Sequence, residues 1–166
     1  MRRLLCALAF ALVAGAAASK PAATPTPAPR TVIVGPTGRT LILTPEVLAG
    51  ARRAHATMVD HGAPHVYAGV ELDPLLRMVG APTGVMVHGA AVRDYLVVTG
   101  ADGFRAVLSL AGTDPGVQPR PVILADRKDG APLDARDAPF RLVVDGDRQP
   151  ARSVRAVARI QVEALH

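Results

Sequence analysis

The sequence predicts an α+β domain with mixed β-sheets and short helices. Short apolar and β-branched runs recur between turns that contain glycine or proline, and this pattern indicates many short strands. Only two segments carry clear helix start and stop signals, and both are short. The runs do not repeat and do not alternate regularly with helices, so we do not expect a parallel sheet built from βαβ units.

Residues 1–18 are predicted to be a cleavable secretory signal. Arg2 and Arg3 supply a positive start, residues 4–14 are apolar, and alanines stand at positions 16–18. A membrane-spanning helix needs roughly 20 apolar residues, so we expect no transmembrane anchor after processing. The protein is therefore predicted to be exported, to the periplasm or to the outside of the cell.

The rest of the chain divides into a leader and one domain. Residues 19–30 are rich in proline, alanine and threonine, which predicts a flexible leader. Residues 31–166 are predicted to form a single domain. The only cysteine, Cys6, lies in the predicted signal, so the mature chain has no thiol for a disulfide, a metal or a nucleophile.

Composition argues against a nucleic-acid partner. The sequence has 19 lysines and arginines against 14 acidic residues, and the loss of Arg2 and Arg3 would leave only a mild basic surplus. It contains no tryptophan and only two tyrosines and three phenylalanines, and basic residues do not cluster beside them. Proteins that bind single-stranded nucleic acid combine a basic groove with aromatic stacking residues.

The first half of the domain is predicted to contain two hairpins, each followed by a short helix. Thr44 is a favourable N-cap and Pro45 suits the first helical position, whereas Gly50 and Gly80 are stop signals. The predicted strands are residues 31–34 and 40–43, around a turn at 35–38, and residues 53–59 and 64–68, around His61 and Gly62. The predicted helices start at Pro45 and at Asp73-Pro74.

The second half is predicted to begin with a loop at residues 81–89 and to continue with strands. Residues 95–99 and 104–108 flank the turn Gly100-Ala101-Asp102-Gly103 and predict a hairpin. Residues 121–125 and 140–144 are further apolar strands. In the last strand, one face is predicted to carry Val154, Ala156, Ala158, Ile160 and Val162.

Six segments, in a fixed order from about Val66 to Val162, carry a family resemblance. They are YAGVELDPLL from Tyr67, VVTGADGF from Val97, VILA from Val122, DGAPL from Asp129, PFRLVV from Pro139 and RSVR from Arg152. The series resembles the molybdopterin-binding domain of the sulfite-oxidase family of oxidoreductases, and especially its short exported bacterial members. The chain departs from that pattern at Ala138, Asp145 and Ser153, which indicates a remodelled pocket rim.

The resemblance implies a scaffold for a molybdenum–molybdopterin cofactor, with a cysteine thiolate on the metal and basic residues on the pterin phosphate. The mature chain lacks that thiolate, so it is predicted to be a member without the metal-ligating cysteine. The candidate cofactor-binding residues are Arg141, Arg152, Ser153, Arg155 and Asp102. Surface charge for the arginines and turn chemistry for Asp102 are the alternatives. No catalytic residue and no metal ligand is assigned.

Three histidines, His55, His61 and His65, lie around the first long hairpin. Neutral imidazoles can bind copper or zinc, but the spacing is irregular and matches no known ligand pattern, so solvated side chains are the favoured interpretation.

Three functions remain open at this point, and the sequence does not decide whether the chain is an enzyme. The first is a non-catalytic or degenerate module that binds an anionic small molecule or an envelope protein, with or without a cofactor. The second is a periplasmic molybdopterin-dependent oxidoreductase, or a subunit of one. The third is a structural protein of the envelope, since one fold hosts many functions.

Overall fold

The computed structural model describes residues 30–165. The predicted signal, residues 1–18, and the predicted leader up to residue 29 lie outside the described residues. Within residues 30–165, no helix has both the length and the apolar character that are needed to cross a membrane.

Within residues 30–165, ten strands and two α-helices make up the fold, and three short 3-10 helices lie in the connections. The strands are β1 (Val32–Val34), β2 (Thr40–Ile42), β3 (Arg53–Asp60), β4 (Ala63–Glu71), β5 (Tyr95–Gly100), β6 (Arg105–Ser109), β7 (Val122–Lys128), β8 (Ala131–Pro132), β9 (Arg141–Val144) and β10 (Val157–Glu163). The helices are α1 (Pro45–Ala49) and α2 (Leu72–Met78), and the 3-10 helices are Gly84–Met86, Gly89–Arg93 and Ala111–Thr113.

The strands form two sheets. The first has the order β2-β1-β10-β5-β6, in which β1 and β10 are parallel and the other pairs are antiparallel. The second has the order β3-β4-β7-β8, with β9 also paired to β7, and all its pairs are antiparallel. This strand-rich arrangement with few short helices confirms the predicted α+β class.

The main core combines apolar side chains from both sheets and from α2. A smaller cluster, which includes Met58, Tyr67 and Ile123, lies on the opposite face of the second sheet. All four residues of β9 are buried, so this strand has apolar or charged neighbours on both of its faces. The fold therefore places Arg141, the first residue of β9, inside the protein.

Both long hairpins are confirmed, and their turns explain why the prediction succeeds. His61 and Gly62 join β3 to β4 with φ values of 51° and 83°. Two consecutive positive φ values are typical of the two-residue turns that match the twist of a hairpin. In the β5–β6 turn, Gly103 has a φ of 84°. Local turn chemistry thus sets the register of these strands.

The prediction for the last strand is wrong in its start and in part of its face. β10 begins at Val157 rather than at Val154, and its pairing with β5 shifts between Val157 and Arg159. Ala156 precedes the strand with a φ of 42° and is only partly buried, as is Ala158. A β-bulge inserts one residue and so reverses the alternation of faces.

The segment predicted as a loop, residues 81–89, contains the 3-10 helix Gly84–Met86.

Candidate functional site

Four of the five predicted cofactor-binding residues line one cleft of about 250 Å³, which we call the Phe104 cleft. The β5–β6 turn, the first residue of β9 and the segment before β10 form its walls. Arg152 does not line it. The lining residues are Asp102, Phe104, Arg141, Pro150, Ser153 and Arg155. The fold thus brings together residues that are far apart in the chain, and their binding role stays a prediction.

Arg141 lies at the closed side of this cleft, with only 1% of its surface exposed. Its Nε donates a hydrogen bond to Ser153 Oγ at 2.9 Å. Its Nη1 donates to Asp60 Oδ2 at 2.9 Å and to Asp137 Oδ2 at 2.8 Å, and it also lies 3.2 Å from the Tyr67 hydroxyl oxygen. We call these five residues the Arg141 network. Protein groups, two of them carboxylates, therefore bind Nε and Nη1, whereas Nη2 makes no hydrogen bond within residues 30–165.

The network fixes the charge of its members. Burial by itself raises the pKa of Asp60, but the hydrogen bond and charge of Arg141, with His61 and Lys128, lower that pKa to about 2. Burial raises the pKa of Tyr67 to about 12, so its hydroxyl stays neutral. Asp60 Oδ1 is buried without a hydrogen-bond partner in the described residues, although His61 Nδ1 lies 3.0 Å away. An ionised carboxylate thus faces a permanently charged guanidinium.

Arg155 differs from Arg141 because 30% of its side chain is exposed. Its Nε lies 3.3 Å from Asp137 Oδ1, and its two terminal nitrogens make no hydrogen bond within residues 30–165. They are unoccupied cationic donors on a partly exposed side chain that lines the Phe104 cleft. A guanidinium with such donors can hold a carboxylate or phosphate group.

Arg152 and Asp102 are engaged in local structure. Arg152 Nε and Nη2 each donate to the Asp147 carboxylate at 2.9 Å, which is a bidentate pair. Asp102 Oδ1 accepts a hydrogen bond from the backbone N–H of Phe104 at 2.9 Å. This contact is the turn chemistry given as the alternative for Asp102.

Sequence reasoning did not single out Asp60, Asp137 or Tyr67 as members of the site. Asp60 ends β3, and 81 positions separate it from Arg141. A single sequence has no signal for a contact of that range. Asp137 is four residues before Arg141, but the sequence between them has no helical pattern. The spacing therefore does not predict a contact between the two side chains.

The three histidines do not converge on one point. His55 is exposed on β3, His61 Nδ1 lies beside Asp60, and His65 Nδ1 lies 2.6 Å from Asp129 Oδ2. In the part of the chain that the structure describes, no group of three or more histidine, cysteine, aspartate or glutamate side chains is placed to hold a metal ion.

The residues present do not fit the molybdenum–molybdopterin cofactor in the way that the family resemblance implies. The only cysteine of the sequence is Cys6, so residues 30–165 offer no thiolate to the metal. Of the three candidate arginines, Arg141 is buried against two carboxylates, and Arg152 is held by Asp147. Among the candidate arginines that line the cleft, Arg155 is the more exposed one, and both of its terminal nitrogens lack a hydrogen bond within residues 30–165.

Comparison with known proteins finds a similar structure but no similar sequence family. No family model matches the sequence, and no curated protein matches it. The structure is similar to the sulfane dehydrogenase SoxCD from Paracoccus pantotrophus, with a TM-score of 0.58 and 20% sequence identity. The two proteins share a fold. The similar region covers 81% of this chain and 38% of that chain, so the match is to a part of the dehydrogenase.

Proposed function

We propose that this chain is an exported, non-catalytic binding module with the fold of the molybdopterin-binding domain, and that its Phe104 cleft holds a small anionic molecule. The observation that carries the proposal is the contrast within the cleft. Arg141 is neutralised by Asp60 and Asp137, whereas Arg155 keeps unoccupied terminal donors. An anion would pair with Arg155 and lie against the half-exposed ring of Phe104.

The chemistry of the donor set supports a module without molybdenum. A soft thiolate ligand has no substitute among the carboxylates and imidazoles of residues 30–165 without a change in the electronics of the metal. The likeness to a dehydrogenase supports the fold only. Because the similarity extends over 38% of that chain, its activity does not transfer to this protein.

A second candidate function is a periplasmic molybdopterin-dependent oxidoreductase, or a subunit that borrows a metal ligand from a partner. The ordered motifs and the likeness to a sulfane dehydrogenase favour it. It differs from the first proposal in requiring molybdenum and a pterin in the purified protein, and this difference can be measured directly.

Anion binding is tested with benzoate, which combines a carboxylate for Arg155 with a ring for Phe104. Backbone amide shifts are followed by NMR during a titration, in the wild type and in Arg155→Gln. We expect saturable shifts in the β5–β6 turn and an affinity roughly tenfold lower in the variant, as for the loss of one charge-assisted hydrogen bond.

Arg39→Gln is the matched control for this titration, because it removes the same charge. Arg39 lies in the β1–β2 turn, at the end of the first sheet opposite to the β5–β6 turn. The control should bind benzoate as the wild type does. If both variants bound benzoate equally weakly, the loss of affinity would be explained by the change in net charge. That result would contradict a binding site at Arg155.

Export is tested by the mass of the processed protein. The proposal expects a chain that begins at Ser19, recovered from the periplasm or the medium of the native host. An intact chain that retains Met1–Ala18 in the cytoplasm would contradict it.

A further inference from the structure

A second cleft, of about 220 Å³, shares no residue with the Phe104 cleft. We call it the Arg120 cleft. Its charged lining includes Arg120, Glu71 and Asp73, and part of its wall consists of Pro115, Pro119 and Pro121. Pockets for drug-sized ligands start at about 300 Å³, so this volume fits a smaller molecule.

Arg120 is an exposed guanidinium without a counter-ion in the described residues. Its side chain makes no hydrogen bond and no ion pair within residues 30–165, although it lines the cleft. The Arg120 guanidinium lies next to Gly146, since a Cβ atom added at Gly146 would lie 2.3 Å from Arg120 Nη1. Because Arg120 is exposed and lines the cleft, its charge is accessible to a ligand there.

The opposite charge is supplied by two carboxylates that are largely buried. The Glu71 side chain is 16% exposed and pairs with Arg52 at 3.1 Å. The Asp73 side chain is 10% exposed, and its Oδ2 accepts a hydrogen bond from Arg77 at 3.1 Å. Asp73 Oδ1 accepts no hydrogen bond from the described residues, and Asp73 lines the cleft.

A third carboxylate, Asp114, makes this side of the cleft more negative. It is 2% exposed, and its partners are the backbone N–H groups of Gly84 and Gly116 rather than a cation. Burial raises the pKa of Asp73, Arg77 lowers it, and Asp114 raises it further. An added positive charge beside Asp73 would therefore be favourable.

We propose that the Arg120 cleft binds a small zwitterion, namely a free amino acid with an aliphatic side chain. Its ammonium group donates to Asp73 Oδ1, its carboxylate pairs with Arg120, and its side chain packs on the prolines. The Arg120 cleft shares no lining residue with the Phe104 cleft, so the test of this inference is independent of the test of the proposed function.

L-Valine and two truncated analogues test the charge pattern. 3-Methylbutanoate is valine without its ammonium group, and isobutylamine is valine without its carboxylate. Each is titrated into the wild-type protein near pH 7, and amide shifts around the Arg120 cleft are recorded. We expect valine to bind at least tenfold more tightly than either analogue, because only valine satisfies both charged walls. An affinity no greater than that of the better analogue would overturn the proposal, as would the lack of saturable shifts at millimolar concentrations.

Arg120→Gln locates the carboxylate contact. Arg120 is exposed and has no partner in the described residues, so this variant should fold as the wild type does. It should lower the affinity for valine to that for isobutylamine and leave isobutylamine binding unchanged. Arg39→Gln, the charge-matched control, should retain the full affinity. Unchanged valine binding in Arg120→Gln would overturn the proposal, whereas Arg155→Gln should affect benzoate and not valine.

Discussion

Arg141 and Arg155 contact the same carboxylate, that of Asp137, but lie in two different regions of the site. Arg141 is in the interior, 1% exposed, and its Nε and Nη1 donate hydrogen bonds to buried groups of the protein. Arg155 lies on the rim of the Phe104 cleft, 30% exposed, with unoccupied terminal nitrogens. Depth of burial, rather than residue type, thus separates a structural arginine from one that is available to a ligand.

The difference in burial between Arg141 and Arg155 should produce a large difference in their contributions to the free energy of unfolding. Removing one partner of a buried ion pair leaves an uncompensated charge in the interior, whereas a surface pair contributes little, because water and salt screen it. The Arg141 network should therefore control stability, and the rim should control binding. Substitutions at Arg141, Asp60, Ser153 and Arg155 test that division.

Arg141→Gln should lower the free energy of unfolding by about 3–5 kcal/mol, because it leaves the buried carboxylates of Asp60 and Asp137 without their cation. Urea denaturation followed by circular dichroism measures the change. Arg152→Gln is the control, since the Arg152–Asp147 pair is 43% exposed on the arginine side, and it should cost about 1 kcal/mol or less. Similar costs for the two variants would contradict the division.

Acid should remove a stabilising contribution of Asp60. Its pKa is lowered from 3.8 to about 2 in the folded protein, so the contribution is complete above pH 3.8 and is lost as the pH falls through 2. The lost free energy is on the order of 2 kcal/mol. Denaturation between pH 5 and pH 2 should show a shallower pH dependence in Asp60→Asn. An identical slope in both proteins would show that Asp60 has an ordinary pKa.

Ser153→Ala should lower the free energy of unfolding by about 1–2 kcal/mol. Its hydroxyl accepts from Arg141 Nε and donates to the Leu142 carbonyl oxygen at 2.7 Å, and both contacts are buried. Ser109→Ala is the control, because Ser109 Oγ accepts a single exposed hydrogen bond from the Gly112 N–H. Thermal unfolding of both variants makes the comparison, and a cost for Ser153→Ala no larger than that of the control would contradict the role of Ser153.

Arg155→Gln should change the free energy of unfolding by less than about 1 kcal/mol, since its contact with Asp137 is long and partly exposed. The same variant should weaken benzoate binding. A stability loss close to that of Arg141→Gln would place Arg155 in the Arg141 network instead of on the rim.

Sequence reasoning succeeded where the cause of structure is local. The turn residues His61-Gly62 and Gly100–Gly103 predict the β3–β4 and β5–β6 hairpins, and the structure contains both hairpins. It was wrong for the start of β10, because nothing in the alternating pattern marks the bulge near Val157. The sequence also predicted the candidate arginines of the site but not their acidic partners. The contact of Arg141 with Asp60 depends on how β3 packs against β9, and this packing has no local signal in the sequence.

We propose that the protein's own carboxylates hold Arg141 and Arg152, that Arg155 is available to a ligand, and that the chain carries no molybdenum. Elemental analysis combined with native mass spectrometry, on the processed protein from its own host, distinguishes this proposal from the oxidoreductase. The account predicts a mass equal to that of the polypeptide from Ser19 and no stoichiometric molybdenum. One molybdenum per chain with a retained pterin would contradict it and would favour the oxidoreductase.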